Sequence, residues 1–522
     1  MEKKKTSTCT NTIKLVLSYD IHIHFFSIEC FPVISYLLAL SVIKTTFIQM
    51  TYLYLVFISL LVQGKHFLKV DYSALKDDIL DLISKELQLN PTSKLGNVSI
   101  SQFNPGHPLD IYWLFKHWTG SDMKNTVFDD VREYLPTRED LKNVAVSIVR
   151  LQEIYKLSEE SIAKGVIHGE RSVFKLESED FQFIGKAALD NMNFESFHVW
   201  YSLAVKMASN KETEEKIRKE YGNLKLKETF FTDLLNTSGP DILKLLDIEL
   251  SSIPMSTMAA LKSNDETSAA AQMFSAYREL CRQPGPEFDK SWKNPSAKCI
   301  YEARMSPLQP FKMEIFHDAP LVMVIHDLTT PNMAKSLSRL SKPYMEAPRS
   351  ISSTTGKVQK TSGRVGKVTF LNSKLETQEK IVQKMRAISG QVTGLDSSMA
   401  EMLQVVSYGM GGHYEPHVDY FGTLNYSKLD EIYSEFGDRM ATLLFYLNDV
   451  QSGGSTVFPY LGISIPPVAG SALFWHNLDH AGVGYRQTMH AGCPVLLGHK
   501  EVANLWFWVM GQHHTRPCQR MA

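Results

Sequence analysis

The sequence carries almost no net charge, since 55 Lys and Arg against 56 Asp and Glu leave -1. That balance supplies no global field to draw the chain onto nucleic acid or acidic lipid, so no nucleic-acid partner is expected. Cysteine is scarce, six in 522 residues, and no two stand in C-x-x-C spacing, which removes the redox and metal signatures such a pair would signal. With 44% hydrophobic, 21% charged and 11% aromatic residues, wholesale disorder and a collagen-like repeat are both excluded. At roughly 100 to 200 residues per domain, the length predicts three or four domains with ample core.

Long apolar runs are confined to residues 1–64. Phe25 to Ile43, interrupted by Glu29 and Cys30, and Tyr52 to Val62 precede a polar turn at Lys65. Met50 opens the second run, and Val62 and Gly64 stand at signal-peptidase positions, so 1–64 is read as a targeting segment ending in a cleavable signal peptide. The rival reading makes Phe25 to Ile43 a membrane anchor. Either route sends the remainder into the secretory pathway. With Cys9 and Cys30 set aside, Cys281, Cys299, Cys493 and Cys518 form an even set in two local pairs, which suits an oxidising lumen. Sequons at Asn97, Asn236 and Asn425 permit glycosylation. The C-terminal Cys518-Gln-Arg-Met-Ala522 has no KDEL-type signal, so residence in the endoplasmic reticulum would be borrowed from a partner.

Helical spacing links Leu75, Ile79, Leu82 and Leu87, and again Leu141, Val144, Val146, Val149 and Leu151. Residues 65–168 are therefore expected to form an all-helical N-terminal domain, whose stripes either fill a bundle core or serve self-association. Phe181 to Met207 reads as a helical hairpin, in which Gly185, Ala188, Phe194 and the stretch from Phe197 to Ala204 stand where a tetratricopeptide (TPR) unit places small and bulky residues. Generic packed helices fit the same pattern. Phe230 to Leu245, interrupted by Gly239-Pro240, is a candidate partner hairpin. This gives a TPR-like domain at 169–281 and a linker rich in Pro, Lys and Ser at 282–310. Beyond Met313, β-type runs at Met402 to Tyr408, Ala441 to Leu447, Ser471 to Trp475 and Val502 to Met510 predict a β-sandwich or barrel over 311–522. Helices at Met333 to Leu340 and Glu376 to Ile388 would pack against it.

The chemistry concentrates in His413-Tyr-Glu-Pro-His-Val-Asp419. On an extended strand, residues 413, 415, 417 and 419 share one face. A His-x-Asp pair offers two converging donors, and a His from a later strand would complete the two-His, one-carboxylate triad of non-haem iron oxygenases. His476, His480, His490 and His499 are the candidates, and spacing does not choose among them. Lys500 lies close to the apolar run Leu505 to Met510; if buried it needs an anion, which a dicarboxylate co-substrate would supply. A solvated surface lysine is the plain alternative.

Longer motifs surround these residues. Gln404-Val-Val-Ser-Tyr-Gly-Met-Gly-Gly-His-Tyr-Glu-Pro-His-Val-Asp419, Ala441-Thr-Leu-Leu-Phe-Tyr-Leu, Gly453-Gly-Ser-Thr-Val-Phe-Pro459 and His490-Ala-Gly-Cys-Pro-Val-Leu-Leu-Gly498 resemble the α subunit of collagen prolyl 4-hydroxylase. Gly106-His-Pro108, Arg150-Leu-Gln-Glu-Ile-Tyr155, Ala163-Lys-Gly165 and Tyr277-Arg-Glu-Leu-Cys281 look like that family's N-terminal and linker sequences.

The resemblance implies Fe(II) on His417, Asp419 and His490, and 2-oxoglutarate held at its distal carboxylate by Lys500 with Tyr408 orienting it. O2 is the co-reactant, and L-ascorbate rescues oxidised iron. The implied reaction is hydroxylation of peptidyl proline at C4 in collagen-like X-Pro-Gly sequences, coupled to decarboxylation of 2-oxoglutarate to succinate. Also implied are disulfides Cys281 to Cys299 and Cys493 to Cys518, a double-stranded β-helix (jelly-roll) catalytic domain, and a helical middle domain that holds proline-rich peptides. Phe194, Phe197, Trp200 and Tyr201 are its candidate substrate-binding residues. N-terminal helices would pair two α subunits, protein disulfide isomerase would be the β subunit of an α2β2 tetramer, and the site of action would be the lumen of the endoplasmic reticulum. Leu505 and Trp508 stand where the family usually has Lys and His, and Leu189 and Glu195 where its peptide groove has tyrosines, so the same chemistry on other proline-rich secreted proteins, or a non-catalytic peptide-binding module, are the rival readings.

Overall fold

The computed structural model describes residues 104, 106–119, 136–238, 269–283, 297–303, 310–351, 358–360, 363–371, 379–422 and 435–517. The targeting segment, the expected helix at 71–89, Asn97, Asn425 and Cys518 lie outside the described residues. Among the described residues, no helix is long and apolar enough to cross a membrane.

Helices α1 (Pro108–Thr119), α2 (Arg138–Tyr155), α3 (Ser178–Asp190), α4 (Phe194–Lys206) and α5 (Lys211–Ser238) make up the N-terminal half. A capping box starts α2: the Thr137 hydroxyl accepts from the Asp140 N–H and the Asp140 carboxylate from the Thr137 N–H, while Lys156 ends it in the left-handed region. Leu141, Val144, Val149 and Leu151 are buried and Val146 packs against them, so this stripe fills a bundle core. That core draws on residues from Leu109 to Ile217, on both sides of 168/169, together with Met410, Leu496 and Leu497 of the C-terminal half. The hairpin α3–α4 forms as expected; of the candidate partner hairpin, residues 230–238 continue α5 and the rest lies outside the described residues.

The expected peptide-binding aromatics need a correction. Phe197, Trp200 and Tyr201 are each 0% exposed and belong to the core, while Phe194 is half-buried. Their spacing on α4 turns them toward α3, and the close approach is made by Gly185, where a Cβ would lie 2.7 Å from the Tyr201 ring. An aromatic stripe of helical period is here a packing stripe.

The C-terminal half is built of antiparallel strands. In chain order these are β1 (Lys298–Glu302), β2 (Phe311–Asp318), β3 (Leu321–His326), β4 (Arg364–Val365), β5 (Lys367–Phe370), β6 (Gln404–Tyr408), β7 (His413–His417), β8 (Arg439–Tyr446), β9 (Ser452–Gly453), β10 (Thr456–Phe458), β11 (Ile463–Ile465), β12 (Ala472–His476), β13 (His490–Gly492), β14 (Val495–Leu497) and β15 (Lys500–Trp508). An eight-stranded sheet has the order β1-β2-β3-β12-β8-β15-β6-β5, and a five-stranded sheet the order β11-β10-β13-β7-β4. Strand β1 lies within the segment expected to be a linker and extends the large sheet instead.

Val406, Leu444, Trp475 and Val502 of the large sheet meet Phe458, Ile463 and Val495 in a core between the sheets. The opposite face of the large sheet is covered by α7 (Pro331–Ser341) and α8 (Lys380–Thr393), through Leu337, Val382 and Met385. Along β8 and β15, alternate residues therefore face the helices or the inner core. Helix α6 (Ala269–Cys281) packs Phe274 and Tyr277 against Val457, Ala491 and Cys493.

This docking overturns the expected disulfides. Cys281 is bonded to Cys493, 212 residues away in sequence. Cys299 sits exposed on β1 as a free thiol. The two buried cysteines meet because the last turn of α6 lies over the turn after β13, a long-range contact that local spacing cannot reveal.

Candidate active site

Strands β7 and β13 are neighbours, and His417 stands directly opposite His490 in their register. Asp419 follows two residues after the end of β7. The Nε2 of His417 is 3.7 Å from Asp419 Oδ1, and the Nε2 of His490 is 3.8 Å from Asp419 Oδ2. One donor atom from each residue lies within 4.8 Å of the others, the sole such group of His, Cys, Asp or Glu among the described residues. Of the four histidines left open by the sequence, the fold brings His490 to the pair.

Hydrogen bonds aim these donors. His417 Nδ1 donates to the Glu415 carbonyl at 2.8 Å and His490 Nδ1 to the Thr488 carbonyl at 2.9 Å, which turns the Nε2 of each ring toward the centre. Asp419 Oδ2 accepts from the Thr442 hydroxyl at 2.8 Å and the Trp506 indole N–H at 2.9 Å, and Asn477 Nδ2 donates to the Thr442 oxygen at 2.9 Å. Tyr414 stacks on His417 at 3.5 Å between ring centroids.

Burial pushes the Asp419 carboxyl up, but His490, His417, Arg439 and the Trp506 N–H together outweigh it and hold it at about 2. Burial, with His490 beside it, lowers His417 to about 3. At neutral pH the cluster thus offers a carboxylate and a neutral His417, the ionisation states a divalent metal needs from its ligands. Two imidazoles and one carboxylate are the donor set of non-haem Fe(II) sites.

Lys500 begins β15 and faces Tyr408 across the β6 ladder. It is 3% exposed. Its Nζ donates to the Gly454 carbonyl at 2.6 Å and the Thr456 hydroxyl at 3.3 Å, and lies 5.6 Å from the Tyr446 ring centre and 6.0 Å from that of Tyr408. Among the described residues, no carboxylate pairs with it. Burial alone lowers its pKa to about 7. A buried ammonium with only neutral partners is a site built for an anion.

The remaining candidates lie apart. His413 is buried and outside the cluster, with burial pushing it well below its usual range. Leu505 is fully buried on the helix-backed face and does not touch the site. Trp508 is on the inner face beside Arg439, whose guanidinium lies 4.0 Å from the Trp506 ring centre and forms paired 2.9 Å hydrogen bonds with Glu401.

Thr442, Trp506, Thr456, Arg439 and Glu401 were not singled out in the sequence. The usable signal was period-two counting outward from the anchors: Trp506 is three steps of two from Lys500, and Thr442 is the one polar residue in Ala441-Thr-Leu-Leu-Phe-Tyr-Leu that shares a face with Tyr446.

Residues 403–508 match the 2OG-Fe(II) oxygenase superfamily, so the sheet-rich half is a 2OG-Fe(II) oxygenase domain. Residues 109–169 match the prolyl 4-hydroxylase alpha-subunit N-terminal region. Prolyl 4-hydroxylase subunit alpha-3 of Rattus norvegicus is 31% identical over 470 residues, covering 79% of this chain and 84% of its own. The human subunit alpha-3 is 31% identical over 430 residues, covering 75% and 77%, and the human subunit alpha-1 is 29% identical over 458 residues, covering 79% and 84%. The chain belongs to the prolyl 4-hydroxylase α-subunit family.

Proposed function

We propose that this chain hydroxylates peptidyl proline at C4, with His417, Asp419 and His490 holding Fe(II) and Lys500 holding the distal carboxylate of 2-oxoglutarate. The observation that carries the reading is the pairing of a buried, pre-aimed His-Asp-His cluster with a buried lysine that has no counter-charge among the described residues. Bound iron and 2-oxoglutarate would together supply the oxidation with O2. The chain's own residues do the positioning. Lys500 and Thr456 fix one end of the dicarboxylate, Tyr408 flanks it, and Thr442 and Trp506 keep Asp419 turned to the metal.

The finer parts of the proposal rest on the sequence resemblance. They are a double-stranded β-helix for the oxygenase domain, collagen-like X-Pro-Gly chains as substrate, ascorbate as reductant, and action in the lumen of the endoplasmic reticulum. Protein disulfide isomerase would be the β subunit of an α2β2 tetramer. The test is mass spectrometry of secreted chains co-expressed with the protein: hydroxyproline at X-Pro-Gly positions supports the collagen-like substrate, and hydroxylation confined to other proline contexts overturns it.

A further inference from the structure

We infer that Tyr155, at the end of α2 in the helical half, is a positioning residue for Lys500, and so tunes the grip on the far carboxylate of the co-substrate. This inference rests on the reading of Lys500 given above. The Tyr155 hydroxyl donates to the Pro494 carbonyl. The same carbonyl accepts the Gly454 N–H at 3.1 Å, and the Gly454 carbonyl accepts from Lys500 Nζ at 2.6 Å. Three consecutive hydrogen bonds thus join a helical residue to the buried ammonium.

The chain of contacts is tightest at Gly453 and in ordinary contact at Gly454. A Cβ on Gly453, whose φ of +76° already favours glycine, would lie 2.5 Å from the Tyr155 hydroxyl and 2.6 Å from the Pro494 carbonyl oxygen; one on Gly454 would lie 3.5 Å from Lys500 Cδ. The glycine pair is therefore held between the tyrosine hydroxyl on one side and the lysine stem on the other. The helix end that carries Tyr155 is itself fixed. Arg282 donates to the Ile154 and Glu153 carbonyls at 2.5 and 3.1 Å, Arg278 pairs with Glu153 at 2.5 Å, and Arg150 donates to the Gly411 carbonyl at 3.1 Å. Gly411 N–H in turn bonds the Val495 carbonyl at 2.8 Å, so α2 is tied to Val495 as well as to Pro494. Burial raises the Tyr155 pKa, which keeps the hydroxyl protonated and able to donate.

Tyr155→Phe keeps the ring and removes only the hydroxyl. In the full-length chain, loaded with Mn(II) and without O2, calorimetric titration should show 2-oxoglutarate binding weakened about three- to tenfold, the effect of one lost hydrogen bond. Peptide KM and Mn(II) affinity should not move. The decisive arm is a double-mutant cycle: in a Lys500→Ala background, Tyr155→Phe should have no further effect, because its influence passes through the lysine. Unchanged co-substrate affinity in Tyr155→Phe, or additive losses in the double variant, would overturn the inference while leaving Lys500 in its role. Unchanged affinity in Lys500→Ala alone would instead overturn the role of Lys500.

Discussion

The two halves of the molecule bury charge in different ways. In the helical half Leu, Ile, Val and aromatic rings fill the core, and the carboxylates buried with them have local partners: Asp110 accepts from the Ser172 hydroxyl, and Asp180 accepts from the Tyr112 hydroxyl and pairs with Lys116 at 2.6 Å. In the sheet half, Asp419, His490 and Lys500 are all less than a tenth exposed, at 8%, 5% and 3%. Local hydrogen bonds and an ion pair satisfy the first set, whereas among the described residues Lys500 has no counter-charge, and burying charge costs stability unless a partner, ligand or metal offsets it. Buried charge that converges on one centre, or that lacks a counter-charge among the described residues, marks where this chain works more than buried aromatic surface does.

The contrast breaks most visibly in a pair of substitutions. Asp419→Ala or His490→Ala should reduce hydroxylation at least ~10³-fold, since three protein ligands are what this metal geometry retains, while the thermal midpoint without metal stays near that of the parent chain. Trp200→Ala should do the opposite. It opens a cavity in the helical core at a cost of about 3 to 5 kcal/mol, read by chemical denaturation, with the folded fraction still turning over. Equal loss of fold in both variants would erase the distinction.

The disulfide is the next largest effect. Cys281 and Cys493 tie α6 to the turn after His490, and Cys281→Ser should cost about 2 to 4 kcal/mol in stability. Non-reducing peptide maps should recover the Cys281–Cys493 peptide pair, and a Cys281–Cys299 pair would contradict it.

Smaller, but more telling for the site, is Lys500→Ala. Loss of a charge-assisted contact worth roughly 1.5 to 3 kcal/mol should raise the KM for 2-oxoglutarate about tenfold to hundredfold. Peptide KM should barely change, and Lys500→Arg should restore part of the loss.

The pH dependence follows from the same residue. With its pKa lowered to about 7, Lys500 is an ammonium below that pH and a neutral amine above it. Binding a carboxylate requires the ammonium, so 2-oxoglutarate affinity should fall by up to ~tenfold per unit as pH rises past 7, with proton uptake on binding. Calorimetry in buffers of different ionisation enthalpy measures that uptake, and Lys500→Arg should flatten the profile.

Much of this was legible in the sequence, for physical reasons. Period-two alternation put His417 and Asp419 within reach of one centre, and apolar runs located β6, β8, β12 and β15 to within a few residues. The choice of His490 was not available from spacing, because it depends on β13 pairing with β7, a contact between distant segments. The cysteine pairing failed for the same reason: the resemblance implied Cys281 with Cys299, its near neighbour in sequence, and only the docking of α6 brings Cys493 close. The aromatic residues of α4 misled because a helical stripe looks identical whether it faces a groove or a core.

The most direct test measures succinate and hydroxyproline together, with a proline-rich X-Pro-Gly peptide, Fe(II), 2-oxoglutarate and O2. The two products should form in equal amounts with the parent chain, and neither should form with His490→Ala although the peptide still binds. Peptide binding by the parent chain with no succinate formed above the His490→Ala background would contradict the account and leave a peptide-holding module that kept the fold without the chemistry.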